Sequence, residues 1–319
     1  MQKIAAEKDH RPLGRGTHAK GVTVRAQFEV LDLSVGRDST LTTRLARGIF
    51  AEPGNYPASV RFANSDSRVN SDMKPDVRSL SFSVDLPAGG RQDFSMQNAT
   101  TLPINDARAF LATMKLLTAT HPASALWSLP FDDKLRVFRT LALAERQARQ
   151  KIERYQKLRY WSTAPFRHGP LEAVKYSAAP FIDNTAMSLD KKNPTALKDE
   201  LLRHINEDTR TSCFDFAVQF LNPSRMTYWG KYLHANFWLE NASVEWKESE
   251  SPIYTIARLT LLPKSELPPQ EAEAVFFNVT GNSTPDSTPL GSINRARWAA
   301  EVASRKARSG EVKTSSVAV

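Results

Sequence analysis

Short runs in which every second residue is apolar recur on both sides of this chain's middle, and they limit it to folds built on an antiparallel sheet. In Val22–Val30 (VTVRAQFEV) the alternation predicts a half-buried strand, because a period of two places the apolar set on one face. Between Ser79 and Leu86, Leu80, Phe82, Val84 and Leu86 share a face. Pro87-Ala88-Gly89-Gly90 then breaks the run and returns the chain to Asp93–Asn98. Later, Phe214, Phe216, Val218 and Phe220 alternate in FDFAVQF. Ser59–Asn64, Ser243–Trp246 and Tyr254–Leu262 read as strands by the same logic.

The middle changes period. Phe110, Leu111, Met114 and Leu117 fit a helix over Asp106–Thr118. Asp132 and Asp133 supply start signals for a long helix predicted to reach about Tyr155. Residues 161–194 read as loop, Pro194–Asn206 as a short helix, 275–292 as an irregular passage and Ile293–Arg308 as a helix. The expected organisation is an arm at 1–20, one domain at 21–308 with a helical insertion at about 106–205, and a polar tail at 309–319. Strands around a helical block predict an α+β fold, an antiparallel sheet or barrel with helices.

Composition narrows the function classes. The 319 residues include one cysteine, Cys213, which excludes an internal disulfide and a cysteine-based zinc site. No run of about 18 apolar residues exists, so no transmembrane segment is expected. The start, MQKIAAEKDHRPLG, lacks the apolar core of a secretory signal, and a cytoplasmic location is the expectation. The net charge is +9. Its densest stretches, Lys134–Arg159 and Arg295–Lys313, read as solvated helix faces. No zinc finger, glycine-rich phosphate loop or RNA-binding aromatic signature accompanies them, so no nucleic-acid partner is expected.

Several motifs then line up in order. These are Arg15-Gly-Thr-His18-Ala-Lys-Gly, Tyr56-Pro-Ala-Ser-Val-Arg61-Phe, Asp76-Val-Arg78-Ser-Leu-Ser-Phe and Asp93-Phe-Ser-Met-Gln-Asn98, with Asp106 eight positions on. Tyr160-Trp-Ser-Thr-Ala-Pro165-Phe-Arg-His-Gly169-Pro, Ala173-Val-Lys-Tyr176, Ala242-Ser-Val-Glu-Trp246 and Pro289-Leu-Gly-Ser-Ile-Asn294-Arg-Ala-Arg297 follow. Over roughly 10–308 the sequence resembles the catalase-like heme proteins, in particular the short catalase-related peroxidases and allene oxide synthase-like members.

The resemblance implies the catalase fold: an antiparallel eight-stranded β-barrel with flanking helices and a heme b packed beside it. It implies His18 as the acid–base residue that moves a peroxide proton, and Asn98 as the donor to the bound oxygen. Arg15, Arg61, Arg78 and Arg297 match arginines near the heme carboxylates, which a guanidinium binds in bidentate fashion. Thr17 stands where catalases are aliphatic and allene oxide synthases carry threonine. Its hydroxyl can bond the imidazole, which argues against rapid hydrogen peroxide disproportionation and for peroxidase or lipid hydroperoxide chemistry. The alternative is a β-branched residue in an extended arm with no such role.

The proximal side departs from the pattern. Where the family holds iron with a tyrosine, this chain has Glu301, and no tyrosine follows Tyr254. His-Arg before Pro-Leu-Gly is replaced by Ser287-Thr288, and the glycine after Arg78 by Ser79. Either Glu301 ligates iron as a carboxylate, or heme is absent or weakly held, or Glu301 is a surface residue on a shifted helix. The leading expectation is an oxidoreductase acting on hydrogen peroxide or an organic hydroperoxide, lipid hydroperoxides included, as a monomer or dimer. The competing one is a heme-poor member that binds a ligand or partner in the same cavity. Trp161, His168 and Tyr176 read as packing residues, with the lining of an access channel as the alternative; Cys213 reads as a buried apolar residue, and the aromatic loop around His234 as packed on the barrel rather than binding a ligand.

Overall fold

The computed structural model describes residues 15–181, 189–207 and 212–308. The arm expected at 1–20 is described only from Arg15, and the tail expected at 309–319 lies outside the described residues. The barrel strands are β1 (Gly21–Val30), β2 (Gly54–Asn64), β3 (Arg78–Asp85), β4 (Arg91–Gln97), β5 (Tyr160–Trp161), β6 (Glu172–Pro180), β7 (Cys213–Phe220) and β8 (Ile253–Glu266). Each pairs antiparallel with the next, and β8 returns to β1, so the sheet closes into an eight-stranded barrel without free edges. Phe166–His168 adds a short strand outside β6.

Closure follows from the alternation. Phe28, Phe82, Phe94, Tyr176 and Phe216 come from five strands and turn inward, all fully buried. Their ring centres lie 5.0–5.5 Å apart around Phe216 for Phe94, Tyr176 and Phe28, mostly edge-on. A barrel of this size is filled by its own side chains. The ligand site is therefore built outside it.

The helices are α1 (Ser39–Leu45), α2 (Ala107–Thr118), α3 (Pro122–Ser128), α4 (Phe131–Ala148), α5 (Ala196–Glu207), α6 (Ala235–Glu240), α7 (Pro269–Ala274) and α8 (Gly291–Arg308). Asp106 caps α2, its Oδ1 accepting the Ala109 N–H at 2.9 Å. Ala112 and Leu116 of α2 pack on Val137 of α4.

Three expectations are corrected. The span read as loop contains β6, whose residues Ala173–Ala178 are buried on both faces. Its alternation is short, Val174-Lys175-Tyr176-Ser177-Ala178, and stands among prolines that mark loop. The long helix ends at Ala148 rather than near Tyr155. There Tyr155 turns into the core and its hydroxyl donates to Asn64 Oδ1 at 2.9 Å, while Arg154 pairs with Glu200 at 3.1 Å. Ser243–Trp246 is not a strand. Side chains take its carbonyls instead, Lys175 Nζ that of Val244 at 3.2 Å and Gln219 Nε2 that of Trp246 at 2.8 Å.

Candidate active site

The outer face of β2, β3 and β4 is unusual in being small. Inward Val60, Phe62, Leu80, Phe82, Phe94 and Met96 alternate with outward Arg61, Ala63, Ser79, Ser81 and Ser95. Register sets Ala63 opposite Ser79, Arg61 opposite Ser81, and Ser81 opposite Ser95. Cross-strand neighbours on one face lie side by side, so these residues make a flat floor. A cavity of about 380 Å³ stands on it.

Three segments wall the cavity. Arg15–His18 comes from the residues before β1, Phe276–Phe277 from the irregular passage after α7, and Ile293–Ser304 from α8. Leu102, Ile104 and Phe110 complete the apolar lining. Each segment is tied down. The Arg15 guanidinium donates to the Val275 carbonyl at 2.6 Å. Asp93 on β4 accepts the Asn278 N–H at 2.6 Å and the Asn282 amide at 2.9 Å, which fixes the passage carrying Phe276 and Phe277. The start of α8 is clamped by buried Asn294, which donates to the Pro165 carbonyl at 3.0 Å. Gly291 is required there: its φ is +84°, and a Cβ would stand 2.4 Å from the Leu239 carbonyl oxygen.

His18 is held in a strained backbone. Its φ is +57°, which histidine adopts only when the surroundings impose it. Its N–H donates to the Ser65 carbonyl at 3.2 Å, and its own carbonyl accepts from buried Arg61 Nη2 at 3.0 Å. Thr17 Oγ1 lies 3.1 Å from Nδ1, so the expected threonine–imidazole contact is made. The imidazole pKa is lowered to about 4, first by burial and then by the charges of Arg61, Arg15 and Arg297. His18 is therefore neutral at neutral pH and able to accept a proton.

Glu301 stands one helical turn from Arg297, with Oε1 3.6 Å from Nε. Its Oε2 is buried and has no hydrogen-bond partner among the described residues. Burial pushes the carboxyl up to about 7 against the pull of Arg297, and Asp93 adds to the rise. The expectation that Glu301 is a surface residue on a shifted helix is not met, since it lines the cavity. Between pH 4.5 and 7 the folded protein holds a proton here that the unfolded chain releases, so stability falls as pH rises through that window. Glu301→Gln in ligand-free protein should stabilise by on the order of 2 kcal/mol at pH 8 and by far less at pH 4. Thermal melts at both pH values check this, and an equal shift at the two would refute it.

The structure brings together Arg15, Thr17, His18, Arg61, Arg297 and Glu301. It does not bring Asn98 or Arg78 to the cavity lining. Asn98 Oδ1 accepts the Arg78 N–H at 2.8 Å and its amide donates to Gln150 at 3.2 Å. The Arg78 guanidinium donates to the carbonyls of Asp72 at 2.7 Å and Lys74 at 3.0 Å. Arg78 thus braces the loop between β2 and β3, and Asn98 ties the start of β3 to the segment after α4. Sequence reasoning missed the apolar lining. Two signals pointed to it: the Phe276-Phe277 pair in an irregular passage, and the helical spacing of Ile293, Ala296, Ala300 and Ser304.

The residues present fit a flat, apolar, anionic cofactor with a metal centre: a floor of small side chains, three guanidiniums, a neutral imidazole and a buried carboxyl oxygen without a partner. Among the described residues no group of three metal-ligating side chains occurs, so a bare metal site is not indicated.

No protein-family model matches the sequence, and no curated protein matches it. Solved structures do match. A fungal catalase superposes with a TM-score of 0.71 at 14% identity, covering 97% of this chain and 62% of its own. Catalase A from Saccharomyces cerevisiae gives 0.68 at 14% identity, covering 96% and 63%. The chain thus spans less than two thirds of the length of these catalases and has their fold, an antiparallel eight-stranded barrel with flanking helices.

Proposed function

We propose that the chain is a heme-dependent, catalase-like oxidoreductase acting on hydrogen peroxide or organic hydroperoxides, lipid hydroperoxides included, with weak disproportionation of hydrogen peroxide. The observation that carries this reading is His18: a neutral imidazole in strained backbone, held by Thr17 and facing the same cavity as Glu301. Heme bound in the cavity would supply the iron and electrons for cleaving the O–O bond. Arg15, Arg61 and Arg297 would hold its carboxylates, and Glu301 would face its metal. His18 takes a proton from one peroxide oxygen and returns it to the other. Its Nδ1 contact with Thr17 fixes the ring, and the apolar lining keeps water from competing. Asn98, which bonds Arg78 and Gln150 and is not among the residues lining the cavity, is given no role in this reading.

One observation favours the competing reading. A carboxyl with a pKa of about 7 is a poorer metal ligand than a phenolate is in catalases, and a heme-poor cavity of this kind would hold an amphipathic carboxylate on its arginines. Hemin titration separates the two. Under the leading reading the protein takes up about one heme per chain, counted by Soret absorbance and pyridine hemochrome. Glu301→Tyr then shifts the spectrum to that of a phenolate ligand and raises peroxide turnover. Failure of wild type to take up hemin, with no gain in the tyrosine variant, sinks the leading reading.

A further inference from the structure

The helices between β4 and β5 carry apolar side chains that nothing in the fold covers. On α4, Phe131, Leu135 and Phe138 are 73%, 53% and 57% exposed and stand at i, i+4 and i+7, one stripe away from the buried Val137 and Thr140 face. Trp127 at the end of α3 is 79% exposed. The Lys134 ammonium lies 5.3 Å from its ring centre, which joins it to the stripe. On α2, Leu111 and Leu117 are exposed as well. The interior has no need of these residues, since Ala112, Leu116 and Val137 already pack the helices together.

The charges around the stripe are positive and uncompensated. On α4, Lys134, Arg139 and Arg146 have no carboxylate partner among the described residues; Arg139 donates only to Ser243 Oγ at 3.2 Å. The nearby acids are largely engaged, Asp133 with Arg108 at 2.8 Å and Arg136 at 3.8 Å, and Glu145 with Arg149 at 2.6 Å. Asp132 remains at the helix start. A second copy laid on this face would set like charges against each other, which opposes self-association.

We propose that the outer face of α3 and α4 seats the protein on the surface of an anionic phospholipid bilayer. Phe131, Leu135 and Phe138 enter the boundary between headgroups and acyl chains, Trp127 sits at headgroup level, and the flanking lysines and arginines meet lipid phosphates and carboxylates. No described helix is long and apolar enough to cross a membrane, so the attachment is peripheral. The site does not depend on heme. It does place the cavity close by, because Phe110 lines the cavity from α2, the helix packed on α4.

Sedimentation of the full chain with vesicles tests this. Phosphatidylcholine vesicles with about one third phosphatidylserine should bind at least about tenfold more tightly than phosphatidylcholine alone, and high salt should weaken the binding. The variant Trp127→Ser/Phe131→Ser/Phe138→Ser should lose at least about tenfold in binding to the anionic vesicles. Lys134→Glu/Arg146→Glu should lose the preference for phosphatidylserine. Circular dichroism and hemin uptake, compared with wild type, show whether the fold and cavity persist. Absence of wild-type binding overturns the proposal, and so does binding that both variants retain. A lipid-free dimer that the serine variant converts to monomer overturns it in favour of a self-contact.

Discussion

If the proposed function holds, hemin-loaded protein carrying His18→Ala should turn over hydroperoxides at least about 100-fold more slowly than wild type while keeping its Soret band. The size follows from the step removed. Without a base over the reacting oxygens the proton must move by way of water, in a cavity whose walls at Leu102, Phe110, Phe276 and Phe277 offer it no other acceptor. The pH profile gives a second signature. With the imidazole lowered to about 4, wild-type kcat/KM loses nothing to His18 protonation between pH 5.5 and 7, where an ordinary histidine would cost most of its rate. An alanine variant with undiminished turnover would remove His18 from the chemistry.

The largest effect on stability falls at Phe216. Its ring meets Phe28, Phe82, Phe94 and Tyr176 at centre distances of 5.0–5.7 Å, at the meeting point of the inward-facing strands. Phe216→Ala leaves a hole that a closed barrel cannot collapse into, and should cost about 3–5 kcal/mol in chemical unfolding. Trp229→Ala deletes a larger side chain that is 89% exposed, and should stay within about 0.5 kcal/mol of wild type. Similar losses for the two would contradict the packing described.

The barrel was largely legible because its strands alternate large apolar side chains with polar or small ones, which a period of two sends to opposite faces. β1, β3 and β7 show it. β6 alternates only over Val174–Ala178 within a stretch rich in proline, and α4 was read too long because its charged pattern continues past Ala148 with no glycine or proline to stop it. The site was legible as an order of motifs, which led to Arg15, His18, Arg61, Arg297 and Glu301. It was not legible as a volume. Asn98 and Arg78 lie in motifs, yet Asn98 bonds Gln150 and Arg78 bonds carbonyls of the β2–β3 loop, and neither lines the cavity. No spacing rule distinguishes a side chain that points into a cavity from one that braces the loop beside it.

The floor of the cavity and the packing of the barrel lie on opposite faces of the same three strands. Changes to one face leave the other intact: the serines can vary without touching an aromatic contact, and the segments over them, Arg15–His18 and α8, can vary without opening the sheet. Reactivity in this architecture is a detachable trait. Substitutions at the docked segments, position 301 among them, would change what the cavity can do while leaving the packing of the barrel as it is.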